Sequence, residues 1–264
     1  MINTNFILSF FVFIFGLAIG SFLNVCIYRL PKGIFFLKPF SFCPYCKQRI
    51  YWFDNIPLIS FILLKGRCRF CKKRISYLYP LVELLTASSL LFLFTYFHLT
   101  PFFFIYSLFL CLLIVATFTD LRERIVPDEI SLGGLGLGLL LSFFYPPLQG
   151  VDMPKTAFFH SCLGALIGSS ILYITGVGGN IVFRRETMGG GDIKLLGMIG
   201  AFLGWQMALL TYFISPFLGA GVGIVEKIRR KAETIPYAPF LSAGAIISLI
   251  WGDKILEKVL YFIK

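Results

Sequence analysis

Two aspartates stand where an apolar chain has little reason to hold a charge. Asp120 closes the run FFFIYSLFLCLLIVATFTD, and Asp192 opens another in MGGGDIKLLGMIG. A carboxylate at a bilayer boundary is costly unless it is solvated, paired or used. Two that meet can share one proton: the ionised member activates water and the protonated member polarises a peptide carbonyl. Gly189, Gly190 and Gly191 precede Asp192. Lacking side chains, they would let an extended substrate backbone approach closely. On the residues alone, a helix cap and a snorkelling charge stand as an equal alternative.

Other chemistries find few residues to use. The only histidines are His98 and His160, and no H-E-x-x-H occurs. Both map near the outer face in the topology below, which leaves no Ser-His or Cys-His pair on one side. Gly176 to Gly179 lacks the following Lys-Ser/Thr of a phosphate loop.

A second cluster is metal-like. Cys43-Pro-Tyr-Cys46 and Cys68-Arg-Phe-Cys71 repeat a Cys-x2-Cys spacing. Each half resembles a zinc knuckle, and two halves complete a tetrahedron of four thiolates with no open position. Structural zinc is therefore the expected occupant. Two disulfides or four free thiols are the competing readings, and a reducing cytoplasm disfavours the disulfides.

The elements that must position these groups are membrane helices. The chain has 264 residues, of which 58% are hydrophobic and 14% charged. Apolar runs near 6–28, 80–97, 101–119, 129–146, 157–182, 193–225 and 236–252 mark a polytopic membrane protein. The first run has no cleavage site after it and reads as a retained span. Of 24 Lys and Arg, 20 fall in 29–77, 120–128, 183–194 and 226–235. The positive-inside rule places those gaps in the cytoplasm, and with them both aspartates and all four knuckle cysteines. Residues 193–225 then begin and end on one side, so a turn near Ser215-Pro216 is expected within them. The fold expected is all-α, with about eight transmembrane helices. It divides into a first helix (1–28), a small cytoplasmic zinc-knuckle insert (29–78) and a seven-span core (79–264). The net charge of +11 reads as topology and attraction to lipid head groups, not as nucleic-acid binding. Gly16 and Gly20, like Gly133, Gly134, Gly136 and Gly138, read as close helix packing.

These motifs together resemble the type IV prepilin peptidases, the bifunctional leader peptidase and N-methyltransferase family. MGGGDIKLLGMIGAFLGW (188–205) is similar to their second catalytic motif, and DLRERIVPD (120–128) to their first. GSFLNVCIYRLP (20–31), DNIPLISF (54–61), LKGRCRFC (64–71) and YPLVELLTA (79–87) follow the same order. IPYAPFLSAG (235–244) departs from the usual I-P-F-G-P at Tyr237 and Ala238. The resemblance spans about residues 16–252. It implies that Asp120 and Asp192 are the catalytic aspartates of an aspartic endopeptidase in a bacterial inner membrane. The implied substrates are type IV prepilins or type II secretion pseudopilins, cut after the glycine that ends the leader. It also implies methylation of the new N-terminus by S-adenosylmethionine, with zinc in the tetracysteine domain of the longer bacterial form. A peptidase of the same family without methyl transfer is the nearest alternative; a proton-coupled transporter or zinc-bearing scaffold is a more distant one.

Helix dipoles divide the roles. Asp192 begins a helix and is expected to be the ionised base; Asp120 ends one and is expected to hold the shared proton, unless Arg122 or Arg124 reverses this. A basic leader needs an acidic receiver, for which Asp54, Glu83 and Glu186 are candidates.

Overall fold

The computed structural model describes residues 4–35, 40–184, 187–230 and 236–263. Among these the chain is all-helical, and its only β pairings are the isolated bridges Phe42–Arg49 and Arg67–Arg74. By contacts it divides into two compact units, 1–115 and 116–264.

In the first unit, α1 (Thr4–Arg29) packs antiparallel on α3 (Leu78–Phe97). Glycine makes this crossing possible. A Cβ on Gly16 would sit 2.7 Å from Ala87 Cα, and one on Gly20 would sit 2.7 Å from Glu83 Cα. Neither distance is one that real Cβ atoms occupy, so the packing reading of Gly16-x-x-x-Gly20 holds. Asn24 Nδ2 adds a hydrogen bond to the Tyr79 carbonyl at 3.0 Å. Between the two helices lie the cysteine knuckles, a short 3-10 turn (Trp52–Asn55) and the five-residue α2 (Ile59–Leu63). α4 (Pro101–Glu123) begins in this unit and ends in the second.

The second unit is built around α7 (Gly190–Leu203), which touches α5 (Asp128–Phe144), α6 (Pro154–Phe183), α8 (Trp205–Arg230) and α9 (Ala238–Ile263). Every residue from Leu195 to Phe202 is buried. Such enclosure on all sides needs small residues at the crossings. A Cβ on Gly164 would collide with the Gly200 carbonyl and the converse holds for Gly200, while one on Gly168 would lie 2.6 Å from Leu196 O. On α5, Gly138 meets Phe202 and Ala201, whereas Gly133 and Gly136 face open space. Packing therefore explains only part of that glycine series.

Among the described residues, five helices are long and apolar enough to cross a membrane: α1, α3, α4, α6 and α9. The expected division of 193–225 lies elsewhere than Ser215-Pro216. The chain breaks at Gly204, at φ +81°, which caps α7 by donating its N–H to Gly200 O at 2.9 Å. Pro216 sits inside α8. A glycine at φ > 0 ends a helix without steric cost, whereas the apolar run itself carries no stop signal. α7 has 14 residues, or about 21 Å of rise, short of an apolar core about 30 Å thick. Eight full spans are thus not established.

Candidate active site

Asp120 lies in the last turn of α4 and is buried, at 7% exposure. Its carboxylate meets the N-terminus of α9: the Ala238 N–H donates to Oδ2 at 3.0 Å, and the Tyr237 N–H is also directed to it. Arg124, one turn on, lends its positive field. Asp192 occupies the first turn of α7 and is half-buried. It receives the Gly189 N–H and lies within the field of Asp120. The two aspartates are 72 positions apart in sequence, and the packing of α4, α7 and α9 termini brings them together.

The three glycines are not equivalent. A Cβ on Gly189 would sit 3.3 Å from Asp192 Oδ2, and one on Gly191 would press on Val126 at 3.0 Å. At Gly190 nothing lies within 4 Å. Gly191 lets the 124–127 segment pack on the start of α7, and Gly190 is the position left open.

Two partners escaped the sequence reading. Lys194 Nζ donates to Asp128 Oδ1 at 2.6 Å, an exposed ion pair joining the first turns of α7 and α5. Its signal was present: opposite charges in the two aspartate motifs. The other is the α9 N-terminus, announced by Pro236 and Pro239 beside Ala238. Of the proposed leader receivers, Asp54 is held by Arg69 in two hydrogen bonds of 2.7 Å, and Glu83 Oε2 accepts the Leu58 N–H at 2.9 Å. Glu186, like Ile235 of the last motif, lies outside the described residues.

In the first unit, the Sγ atoms of Cys43, Cys46, Cys68 and Cys71 lie within 4.8 Å of one another. The two knuckles repeat one hydrogen-bond pattern. Cys43 N donates to Gln48 O and Lys47 N to Cys43 O, both at 2.9 Å. Cys68 N donates to Lys73 O at 2.9 Å, and Lys72 N to Cys68 O at 3.1 Å. Lys47 and Lys72 take φ of 60° and 57° at the same place in each turn. Burial opposes ionisation of Cys68, but main-chain N–H groups of Cys71 and Phe70 and the neighbouring thiols outweigh it, bringing the thiol down to about 7. All four cysteines are free. The Cys43–Cys71 separation is 3.9 Å, against about 3.8 Å for the edge of a tetrahedron with Zn–S bonds of about 2.3 Å. The donor set therefore fits a four-sulfur metal.

Fold and site define a multi-pass helical membrane protein with two converging aspartates and a four-cysteine metal-type cluster. Residues 14–98 match the Bacterial Peptidase A24 N-terminal domain, and residues 107–224 match the Type IV leader peptidase family. The chain belongs to the type IV leader peptidase family. It is similar to the prepilin leader peptidase/N-methyltransferase of Aeromonas salmonicida, 36% identical over 92% of this chain and 91% of that one. Proteins of the same name from Legionella pneumophila (33%; 97% and 96%) and Bacillus subtilis (32%; 93% and 95%) are similar in the same way. No solved structure matches the chain.

Proposed function

We propose that this protein is an aspartic endopeptidase of the bacterial inner membrane that removes the leader of type IV prepilins or type II secretion pseudopilins and methylates the new N-terminus. The observation that carries the reading is the convergence of Asp120 and Asp192 at the termini of α4, α7 and α9, in a chain of the leader peptidase family.

The hydrogen bonds favour roles opposite to those drawn from each aspartate's own helix. Two main-chain N–H groups and the Arg124 field support charge on Asp120, against one N–H on Asp192. Donors aimed at a carboxylate stabilise its ionised form. Asp120 is then the base. It takes a proton from water as the water oxygen attacks the scissile carbonyl carbon, while Asp192 gives its proton to the carbonyl oxygen. In collapse, the C–N bond breaks, the leaving amine takes the proton from Asp120, and Asp192 recovers one from the diol. The pair returns to its starting state, and its two macroscopic pKa values belong to the dyad.

S-adenosylmethionine supplies the methyl group to the freed amine. The cysteine cluster holds a structural zinc whose closed donor set leaves no position for substrate. Basic gaps orient the knuckles and both aspartates to the cytoplasm, where a prepilin presents its leader.

Cleavage of a panel of prepilin and pseudopilin precursors in membranes tests the reading, with Asp120→Asn and Asp192→Asn as controls and radiolabelled methyl transfer as the second readout. Each variant should lose cleavage by about 100-fold or more. Intact processing by either variant would sink the assignment.

A further inference from the structure

One apolar surface in the first unit has no partner within the described residues. On α2, Ser60 is buried and bonds back to the carbonyls of Phe53 (3.1 Å) and Ile56 (2.7 Å). Phe61 meets Gly66 of the second knuckle. The opposite side carries Ile59, Ile62 and Leu63, a helical i, i+3, i+4 stripe, with Ile62 and Leu63 72% and 75% exposed. Trp52 beside it is 81% exposed, and Tyr77 is exposed too. Water is a poor medium for such a surface.

Its depth is fixed by a hydrogen bond. Leu58, the residue before α2, donates its N–H to Glu83 Oε2 at 2.9 Å. Glu83 is buried five residues into α3, a helix long and apolar enough to cross the membrane. Five residues are about 8 Å of rise, so α2 starts level with the opening turns of a span. Leu58 holds φ +59° to make this contact, a conformation that a leucine keeps only when its surroundings enforce it. Asp54–Arg69 and Ser60–Phe53 bonds tie the Trp52 turn and the second knuckle to the same body.

Charge identifies the occupant. Residues 40–77 hold eight Lys and Arg against one acid, Asp54, which Arg69 already neutralises. Lys65 and Arg67 follow α2 directly, and both are exposed. Exposed aliphatic side chains, an indole and a phenol with cations alongside are what a bilayer interface with anionic head groups accepts. We infer that α2 and the Trp52 turn lie in the head-group layer of the protein's own membrane, bound to anionic lipid, with Glu83 as the tether that sets their depth. The inference is independent of the peptidase reading.

The test uses the full chain in nanodiscs of phosphatidylcholine with phosphatidylglycerol. In a Trp205→Phe/Trp251→Phe variant, Trp52 is the sole indole. Its emission should be blue-shifted and quenched more by bromines near the head group than by bromines at the chain end. Adding Ile62→Asp and Leu63→Asp should abolish most of the quenching while the metal content stays unchanged. An emission typical of water overturns the inference. So does an indole shielded from iodide yet untouched by brominated lipid, which would mean a protein partner or a second copy covers it. The unaltered chain gives a second reading through a diazirine-bearing phosphatidylglycerol. Label should fall on peptides covering 56–64, and label absent from them overturns the inference as well.

Discussion

The Ala238 N–H and the Asp120 carboxylate, 118 positions apart, meet at 3.0 Å. The bond aims the N-terminus of one helix at the acid that ends another. A helix N-terminus carries unpaired N–H groups and partial positive charge. Its presence here opposes the unfavourable C-terminal position of Asp120 on its own helix.

Ala238→Pro removes this contact. Proline at the first helical position leaves the helix start intact, because that N–H has no helical partner. The donor to Asp120 is lost; because Ala238 is fully buried, the added ring carbons also press on their surroundings, so thermal unfolding is measured beside the pH profile. A hydrogen bond to a charged group contributes about 1.5–3 kcal/mol, and about 1.4 kcal/mol is one pH unit. The acid limb of kcat/KM should therefore rise by about one pH unit or more, with prepilin KM little changed. The sign follows from the role: a base that has lost a donor needs higher pH to stay ionised. An unchanged profile would return the base to Asp192.

Much of this site could be read along the chain, and what could not has identifiable causes. Asp120 and Asp192 were visible because a charge at the edge of an apolar run is rare. The knuckles were visible because metal spacing is local. The α9 N-terminus was missed because a main-chain donor has no residue type to mark it. Gly204 was missed as the end of α7 because apolar residues continue on both sides, and Pro216 looked like the stronger breaker. Its place inside α8 shows that proline alone does not set a boundary. The distinction among Gly189, Gly190 and Gly191 depends on Val126 and Asp192 as neighbours, which only the packed chain supplies.

Metal removal tests the cysteine cluster. The purified chain should carry a single zinc ion, lost with Cys68→Ser or on prolonged chelation. Binding requires thiolates, so affinity should fall as pH drops and each zinc bound should release protons. Elemental analysis alongside a pH titration of zinc binding measures both. A fully loaded Cys68→Ser protein would remove this residue from the ligand set.

The α6–α7 crossing should tolerate no added atoms. Gly200→Ala places a methyl group against the Gly164 carbonyl, and overpacking of this kind costs about 1–3 kcal/mol. Thermal unfolding of the purified variant should shift down, with the Asp120 and Asp192 side chains untouched. Gly136→Ala on α5, where no atom lies within 4 Å, is the matched control and should unfold at or slightly above the parent temperature, since alanine is the better helix former.

The glycines before Asp192 separate approach from packing. Gly190→Ala meets no neighbour, so the fold should survive it, and any loss should appear as weaker prepilin binding. A raised KM with near-normal thermal stability is the expected signature, because a methyl group at an open position obstructs only what arrives from outside. Gly191→Ala instead presses on Val126 at 3.0 Å and should push the first turn of α7 away from the 124–127 segment. That movement carries Asp192 with it, so kcat should fall more than KM rises. Sub-ångström placement of a reacting group is enough for such losses. Kinetics of both variants on one prepilin peptide decide the matter: equal KM effects would make the two glycines equivalent, and a parental KM for Gly190→Ala would remove it from the path of the substrate.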